Sequence, residues 1–389
     1  MSDRLEPLRI IGDGGDLPDH PVPDGLGQKE LLELYRWLVI LRTFDERAVM
    51  LQRQGRVGTY PMYWGEEGTT AGALFACEDS DWVFPSYRQN SVGILRGLPV
   101  ATVLGWVRGY GGPAGFYNPR DYRLGPICVP IATHLPHATG VAWGAKIRGD
   151  RTASLAWFGD GATSEGDFHE ALNFASVFRT ATVFFCTNNQ WAISTPVTRQ
   201  MATKTVAEKA AAYGIPGVRI DGFDPLACYK ASKEALDRGR EGGGPTLIEA
   251  FTYRIKAHGT ADDPSLYRDE TETQKWAQLE PVGRMASFLR RLDILDDDKD
   301  NELKAEAKEM IAEGIRGLES IEQPGPEVMF DYVYASDNPW TFTEGLEEVN
   351  SVARKPEAAP PQPPTPPSTG DVEIQPESGA PGANRAEGA

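Results

Sequence analysis

Two short apolar runs, each ending in a polar cluster, limit the folds open to this chain. Leu155-Ala156-Trp157-Phe158 leads into Gly159-Asp160-Gly161, and about 26 residues on, Val183-Phe184-Phe185-Cys186 leads into Asn188-Asn189. Each run has the length and the aromatic and branched content of a buried strand. Between them Phe168, Leu172, Ala175 and Val177 recur at roughly helical intervals, with Ser164 and Asp167 spaced like an N-terminal capping box. The unit reads strand, turn, helix, strand, loop. In a parallel sheet it would set both polar clusters at the carboxyl ends of neighbouring strands, where open α/β sheets bind ligands.

The residue types narrow the ligand. Asp160 and one Asn side chain offer hard oxygens, and the glycines let backbone amides approach an anion closely. Magnesium holding a diphosphate matches these groups, its octahedral shell taking Asp160, an Asn oxygen, a loop carbonyl, phosphate oxygens and water. Gly12-Asp13-Gly14 repeats the first triplet without an Asn pair at the matching distance, so it is read as an N-terminal turn.

The rest of the chain suits an α/β domain. Lys29 to Gln54 carries Leu31, Leu34, Tyr35, Leu38 and Leu41 at helical spacing, which predicts a long packing helix. Phe84-Pro85-Ser86-Tyr87-Arg88 ends a short apolar run on a basic residue expected to be exposed, and Val129 to Ala145 leads into a helix of small residues. Val218 to Asp221 and Thr246 to Ala250 read as further parallel strands, separated by a helix from Leu226 to Arg238. A polar loop carrying His258 follows Tyr253, then an amphipathic helix at Ala305 to Leu318 and a terminal docking segment at Met329 to Tyr334. The expected fold is α/β, a doubly wound, mostly parallel sheet with extra N- and C-terminal helical segments. Its expected divisions are an N-terminal arm at 1–27, one domain at 28–350, and a disordered Pro-rich tail at 351–389.

Composition excludes several classes. A formal charge of −17 over 389 residues leaves no basic surface for nonspecific nucleic-acid binding or an anionic membrane. Solubility is the simple reading of that charge, and a salty cytoplasm the second. The four cysteines, Cys77, Cys128, Cys186 and Cys228, are widely spaced, so neither a disulfide framework nor a zinc site is expected. No apolar stretch has the length of a membrane span, and a cytoplasmic protein is expected.

Three motifs in order, Gly159-Asp160-Gly161-Ala162-Thr163-Ser164-Glu165-Gly166-Asp167, Asn188-Asn189-Gln190-Trp191-Ala192-Ile193-Ser194 and Tyr253-Arg254-Ile255-Lys256-Ala257-His258, resemble a known family. They are similar to the alpha subunits of thiamine-diphosphate-dependent 2-oxo acid dehydrogenases, the decarboxylating first component of pyruvate and branched-chain complexes. The resemblance runs from about Glu30 to Tyr334. It implies a thiamine-diphosphate-binding fold and decarboxylation of a small 2-oxo acid, with the acyl group passed to the lipoyl arm of a partner acyltransferase. By the same resemblance Asp160, the Asn189 side chain and the Trp191 carbonyl hold magnesium. The diphosphate lies against the Gly161 and Ala162 amides, with Tyr87, Arg88 and His258 as further donors, two of them able to carry charge. His258 could also steady the substrate or lipoyl group. Val129 and Ile131 correspond to the stretch that touches the aminopyrimidine, Ile131 as the wedge that bends the cofactor. Packing of the sheet is the other reading of that pair, a solvated helix start that of Tyr87 and Arg88, and an unliganded loop that of His258.

Departures from the family pattern matter too. Where members bind potassium through Ser, Thr and Gln this chain has Val129, Thr133 and His134, which puts that site in doubt. Thr187 stands where some relatives carry Arg or Glu. Gly259 replaces the serine phosphorylated in the mammalian enzymes, so that control is not expected. Glu165 and Glu170 are poor candidates for the glutamate that ionises the thiamine ring. In two-subunit members it belongs to the beta subunit, and an alpha2beta2 heterotetramer is therefore expected. The alternatives are an acetoin-cleaving alpha subunit, a noncatalytic assembly subunit and a nicotinamide or flavin domain. The last lacks its Gly-x-Gly-x-x-Gly signature here.

Overall fold

A computed structural model of the chain describes residues 6–16, 20–110, 117–325, 328 and 340–353. Among these residues seven strands form, β1 Trp82–Phe84, β2 Ser154–Gly159, β3 Thr182–Asn188, β4 Trp191–Ala192, β5 Thr195–Pro196, β6 Gly217–Asp221 and β7 Thr246–Phe251. Five of them make one parallel sheet in the order β1-β2-β3-β7-β6, while β4 and β5 form a small antiparallel pair.

Strand alternation sorts the core into two layers. Leu155 and Trp157 of β2, with Val183 and Phe185 of β3, face a cluster built with the helices Gln28–Arg53, Pro225–Arg240 and Asp297–Glu319. Ala156, Phe158, Phe184 and Cys186 face the opposite cluster, with Leu135, Phe168 and Leu172 from the helices His134–Arg148 and Gly166–Phe178. Both faces of β2 and β3 are thus dry, which is why they read as unbroken apolar runs. The doubly wound α/β reading holds. The helices expected at Lys29 to Gln54, Leu226 to Arg238 and Ala305 to Leu318 form as Gln28–Arg53, with Gln54 its C-cap, Pro225–Arg240 and Asp297–Glu319.

The capping box does not form. Asp160–Ser164 closes a 3-10 turn instead, and the following helix starts at Gly166 with Glu165 as its cap residue, making no side-chain cap bond. Ser164 Oγ faces Gln200 Nε2 at 3.3 Å. Gly12 to Gly15 does form a turn, closed by Gly15 N on Gly12 O at 3.0 Å.

The N-terminal arm is stitched to the sheet. Leu8 pairs with β6, its N on Arg219 O and its O taking Asp221 N, both at 2.9 Å. Asp224 then serves two segments at once. Its Oδ1 caps the Pro225–Arg240 helix through Leu226 N and Ala227 N, and its Oδ2 accepts from Ile10 N at 2.6 Å and Ile11 N at 2.7 Å. Arg284 closes the joint by donating to Asp221 Oδ2 at 2.9 Å and Gly12 O at 3.0 Å.

The chain divides into two compact units, Met1–Met329 and Phe330–Ala389. In the second, the helix Trp340–Ala353 is described. The expected docking segment at Met329 to Tyr334 and residues 354–389 of the expected tail lie outside the described residues, while 351–353, expected to be disordered, end this helix.

Removing the Asp224 carboxylate leaves four buried N–H groups without their acceptor. Asp224→Ala is expected to cost on the order of 3 kcal/mol and to raise amide exchange at Ile10 and Ile11 above that at Leu155. Unchanged melting with unchanged exchange at the two isoleucines would refute the joint.

Candidate functional site

The β2–β3 register pairs Gly159 with Thr187, so Asp160 and the Asn pair leave the sheet at the same edge. A cavity of about 550 Å³ opens there. Tyr87, Arg88, Val129, Ile131, Asp160, Gly161, Ala162, Asn189, Trp191 and His258 all stand on its wall. Each arrives by a different local device. Ser86 pairs with Cys128, which lays Val129 and Ile131 beside Tyr87 and Arg88. Beyond β7, Thr252 N donates to Asn188 O at 2.9 Å and Arg254 N to Asn189 O at 3.0 Å, tying the His258 loop to the Asn pair.

Of the two asparagines one is structural. Asn188 donates to Glu249 Oε1 at 2.8 Å and accepts from Gln190, turned away from the cavity. Asn189 Nδ2 donates to Glu66 Oε1 at 2.8 Å, and its Oδ1 accepts from Trp191 N at 3.2 Å. The turn that presents Trp191 is strained, with φ of +72° at Gln190 and +55° at the β-branched Ile193. Arg254 holds it, donating to Trp191 O at 3.2 Å, Ile193 O at 2.7 Å and Tyr267 Oη at 2.6 Å.

Arg88 is buried, at 5 % exposure, where an exposed residue was expected. Its guanidinium donates to Met62 O and to His258 O and faces His258 Nδ1 at 3.1 Å. These partners come from segments far away in sequence, so burial costs the arginine few of its bonds. His258 also differs from expectation, because it does not bring a second charge. Burial, and then Arg88 and Arg254, push its pKa down to about 4. With Nδ1 accepting from Arg88, the ring proton sits on Nε2. Tyr87 lies edge-on to this ring at 5.9 Å between centroids.

Two carboxylates share the polar end of the cavity. Asp160 is 1 % exposed, and burial followed by the Glu66 charge pushes its pKa up to about 7. Glu66, equally buried, is also raised by burial, an effect opposed by Arg88 and by the Asn189 hydrogen bond. Asp160 Oδ2 and Glu66 Oε2 are buried without a hydrogen-bond partner among the described residues. Such oxygens are costly alone and well suited to a cation. No group of three or more His, Cys, Asp and Glu among the described residues is placed to hold a metal. Asp160 Oδ2, the Asn189 amide oxygen and the Trp191 carbonyl are hard oxygen donors carried by residues of the same cavity wall.

Glu66 and Arg254 carry no site role in the sequence reading. Gly65-Glu66-Glu67 looks like the acidic first turn of a helix, and nothing in its spacing announces a partner 123 residues away. Glu165 and Glu170 are exposed and off the cavity wall. His134 is buried and turned inward, Nε2 lying 2.6 Å from Trp157 O.

The family model described as dehydrogenase E1 component matches residues 35–327. The chain is 40 % identical over 341 residues to a protein of Mycobacterium tuberculosis named 3-methyl-2-oxobutanoate dehydrogenase subunit alpha, covering 87 % of this chain and 92 % of the relative. It is 35 % identical over 345 residues to the pyruvate dehydrogenase E1 component subunit alpha of Staphylococcus aureus, covering 88 % and 92 %. The chain belongs to the dehydrogenase E1 component family and is the alpha subunit of a 2-oxo acid dehydrogenase, an oxidoreductase.

Proposed function

We propose that this chain binds magnesium thiamine diphosphate and, with a beta subunit, decarboxylates a small 2-oxo acid and passes the acyl group to the lipoyl group of an acyltransferase. The observation that carries the reading is the convergence of Asp160, Asn189, Trp191, Arg88 and His258 on one cavity with two unpartnered buried carboxylate oxygens. Thiamine diphosphate, when bound, supplies the carbon nucleophile and the electron sink that decarboxylation needs. The chain's own residues bind and orient it. Asp160 Oδ2, Asn189 Oδ1 and the Trp191 carbonyl would hold the cation. The Gly161 and Ala162 amides, the Arg88 guanidinium, the Tyr87 hydroxyl and the neutral His258 Nε2–H would face the diphosphate. At Gly161 an added Cβ would lie 3.0 Å from Ala192 Cβ, so the absence of a side chain keeps that wall open.

The site asks for a second chain. Among the described residues on the cavity wall Glu66 is the one glutamate, and its bond to Asn189 sets it at the diphosphate end, away from a ring. Val129 and Ile193 remain 59 % and 57 % exposed on the wall, an apolar surface that a partner would cover to exclude water. A beta subunit supplying the ring glutamate and part of the acyl pocket, in an alpha2beta2 assembly, answers both needs. The higher identity to the 3-methyl-2-oxobutanoate enzyme favours a branched-chain substrate over pyruvate.

The chain alone is expected to decarboxylate neither acid measurably, and activity should appear on mixing with its beta subunit; full turnover by the isolated chain would overturn the division of labour. Asp160→Asn should weaken magnesium-dependent thiamine diphosphate binding at least about 100-fold while raising the melting temperature of the ligand-free protein, because it removes an unpartnered buried carboxylate. Calorimetry on both forms checks the pair of effects.

His258 gives a pH dependence. Its folded pKa, about 4, lies below the unfolded value near 6.5, so the unfolded chain takes up the proton first as pH falls. The stability tied to neutral His258 is complete above about pH 6.5 and lost on the way down to pH 4. His258→Gln should flatten that part of the stability profile by about 1 kcal/mol, allowing for the partial exposure of the ring. Parallel profiles for wild type and variant between pH 4 and 7 would contradict this.

A further inference from the structure

Glu66 and Glu67 are adjacent, both almost fully buried, and differently treated by their surroundings. Glu67 is satisfied at both oxygens, by Arg42 Nε at 2.6 Å and by Gly65 N at 2.9 Å. Glu66 is satisfied at one. Oε1 accepts from Asn189 Nδ2 at 2.8 Å, while Oε2 is buried without a partner among the described residues. The nearest cation, Arg88 Nε, stands 3.9 Å from Oε1, too far for a hydrogen bond.

The Glu66 backbone is fixed. Its N donates to Tyr63 O at 2.7 Å and its O accepts from Thr69 Oγ1 at 2.7 Å. The preceding Gly65 has φ of +97°, and a Cβ there would lie 2.7 Å from Ile255 Cδ1, so glycine is needed to bring the turn this close. A side chain held so firmly, with an unused buried oxygen on a cavity wall, is a poor structural brace and a good acceptor.

The Asn189 amide shows what the held oxygen does. An ionised carboxylate only accepts, so Glu66 must meet the amide nitrogen, and the Trp191 N–H only donates, so it must meet the amide oxygen. Both contacts select the same face of Asn189, with Oδ1 turned away from Glu66. Without Glu66 the Trp191 contact alone, at 3.2 Å, would hold that choice.

We propose that Glu66 is a positioning residue for the divalent cation, fixing the Asn189 amide oxygen toward it and offering Oε2 as an acceptor to a water of its shell. The proposal rests on the metal–diphosphate reading above and deepens it. Magnesium keeps part of its water when protein-bound, and second carboxylates that orient ligands commonly change metal affinity 10–100-fold.

The test uses the assembled alpha and beta chains. Magnesium is titrated at fixed thiamine diphosphate, and binding is followed by quenching of tryptophan fluorescence, since Trp106 and Trp191 line the cavity. Glu66→Gln keeps an oxygen for Asn189 and loses the charged acceptor, so half-saturation should shift to about 10-fold more magnesium. Glu66→Ala loses both functions and should shift it about 100-fold, with saturating magnesium restoring binding in each. Glu67→Gln, which breaks a brace, should lower the melting temperature and leave half-saturation within about twofold of wild type. Half-saturation within twofold for both Glu66 variants, or an equal shift in Glu67→Gln, overturns the proposal. If Glu66→Ala does not fold, Glu66→Gln decides alone. Wild-type protein with no magnesium-dependent quenching would overturn the metal–diphosphate reading itself, a result distinct from normal wild-type binding with unshifted variants.

Discussion

Parallel pairing of β2 with β3, buried on both faces, is the constraint on which the other features depend. The pairing opposes Trp157 to Phe185 on one face and Phe158 to Cys186 on the other. Side chains alternate along a strand, so a slip of one residue would exchange the two layers and force Trp157 among the small residues of the far helices. The register is therefore set by the core, and the placement of Asp160 and the Asn pair at one edge follows from it. The neighbouring β3–β7 pairing continues past the sheet, where the backbone N–H groups of Thr252 and Arg254 donate to Asn188 O and Asn189 O.

Much of this was legible in the sequence because the signals were local. Strand runs, helix spacing and the two polar clusters each lie within a window of about 20 residues, and the parallel α/β arrangement follows from their alternation. What escaped is what depends on distant backbone. Arg88 looks like a loop cation until Met62 O and His258 O are brought to it. His258 looks able to carry charge until its ring is buried with that arginine beside it. Glu66 looks like a helix-start acid until Asn189 turns toward it. The capping reading failed for a smaller reason. Ser164 is spent in the 3-10 turn that follows Asp160, which moves the helix start to Gly166.

Half of the described non-glycine residues with positive φ lie at the cavity. Ala132, Gln190 and Ile193 all have positive φ, and all three lie on or beside the cavity wall. Such backbone persists only when neighbours over-determine it. Arg254 is the main neighbour at the Trp191 turn, and Arg268 in turn holds the strand of loop around it by donating to Ile255 O and Lys256 O at 2.8 Å. A rigid cavity is thus obtained from irregular backbone by two arginines bound to carbonyls rather than to acids.

The stitching of the arm through Asp224 bears on the order in which the molecule can assemble. Ile10 is joined to a residue 214 positions later, and Glu66 to one 123 positions later, whereas β2 and β3 meet across a short helical crossover. During synthesis the arm emerges well before β6 and the start of its following helix, and has nothing to bind until they exist. Closing loops of that length is entropically slow compared with local pairing. The sheet centre thus has the shortest route to structure, the cavity wall is complete only once the segment through Gly259 has emerged, and the arm is among the last segments to find its place.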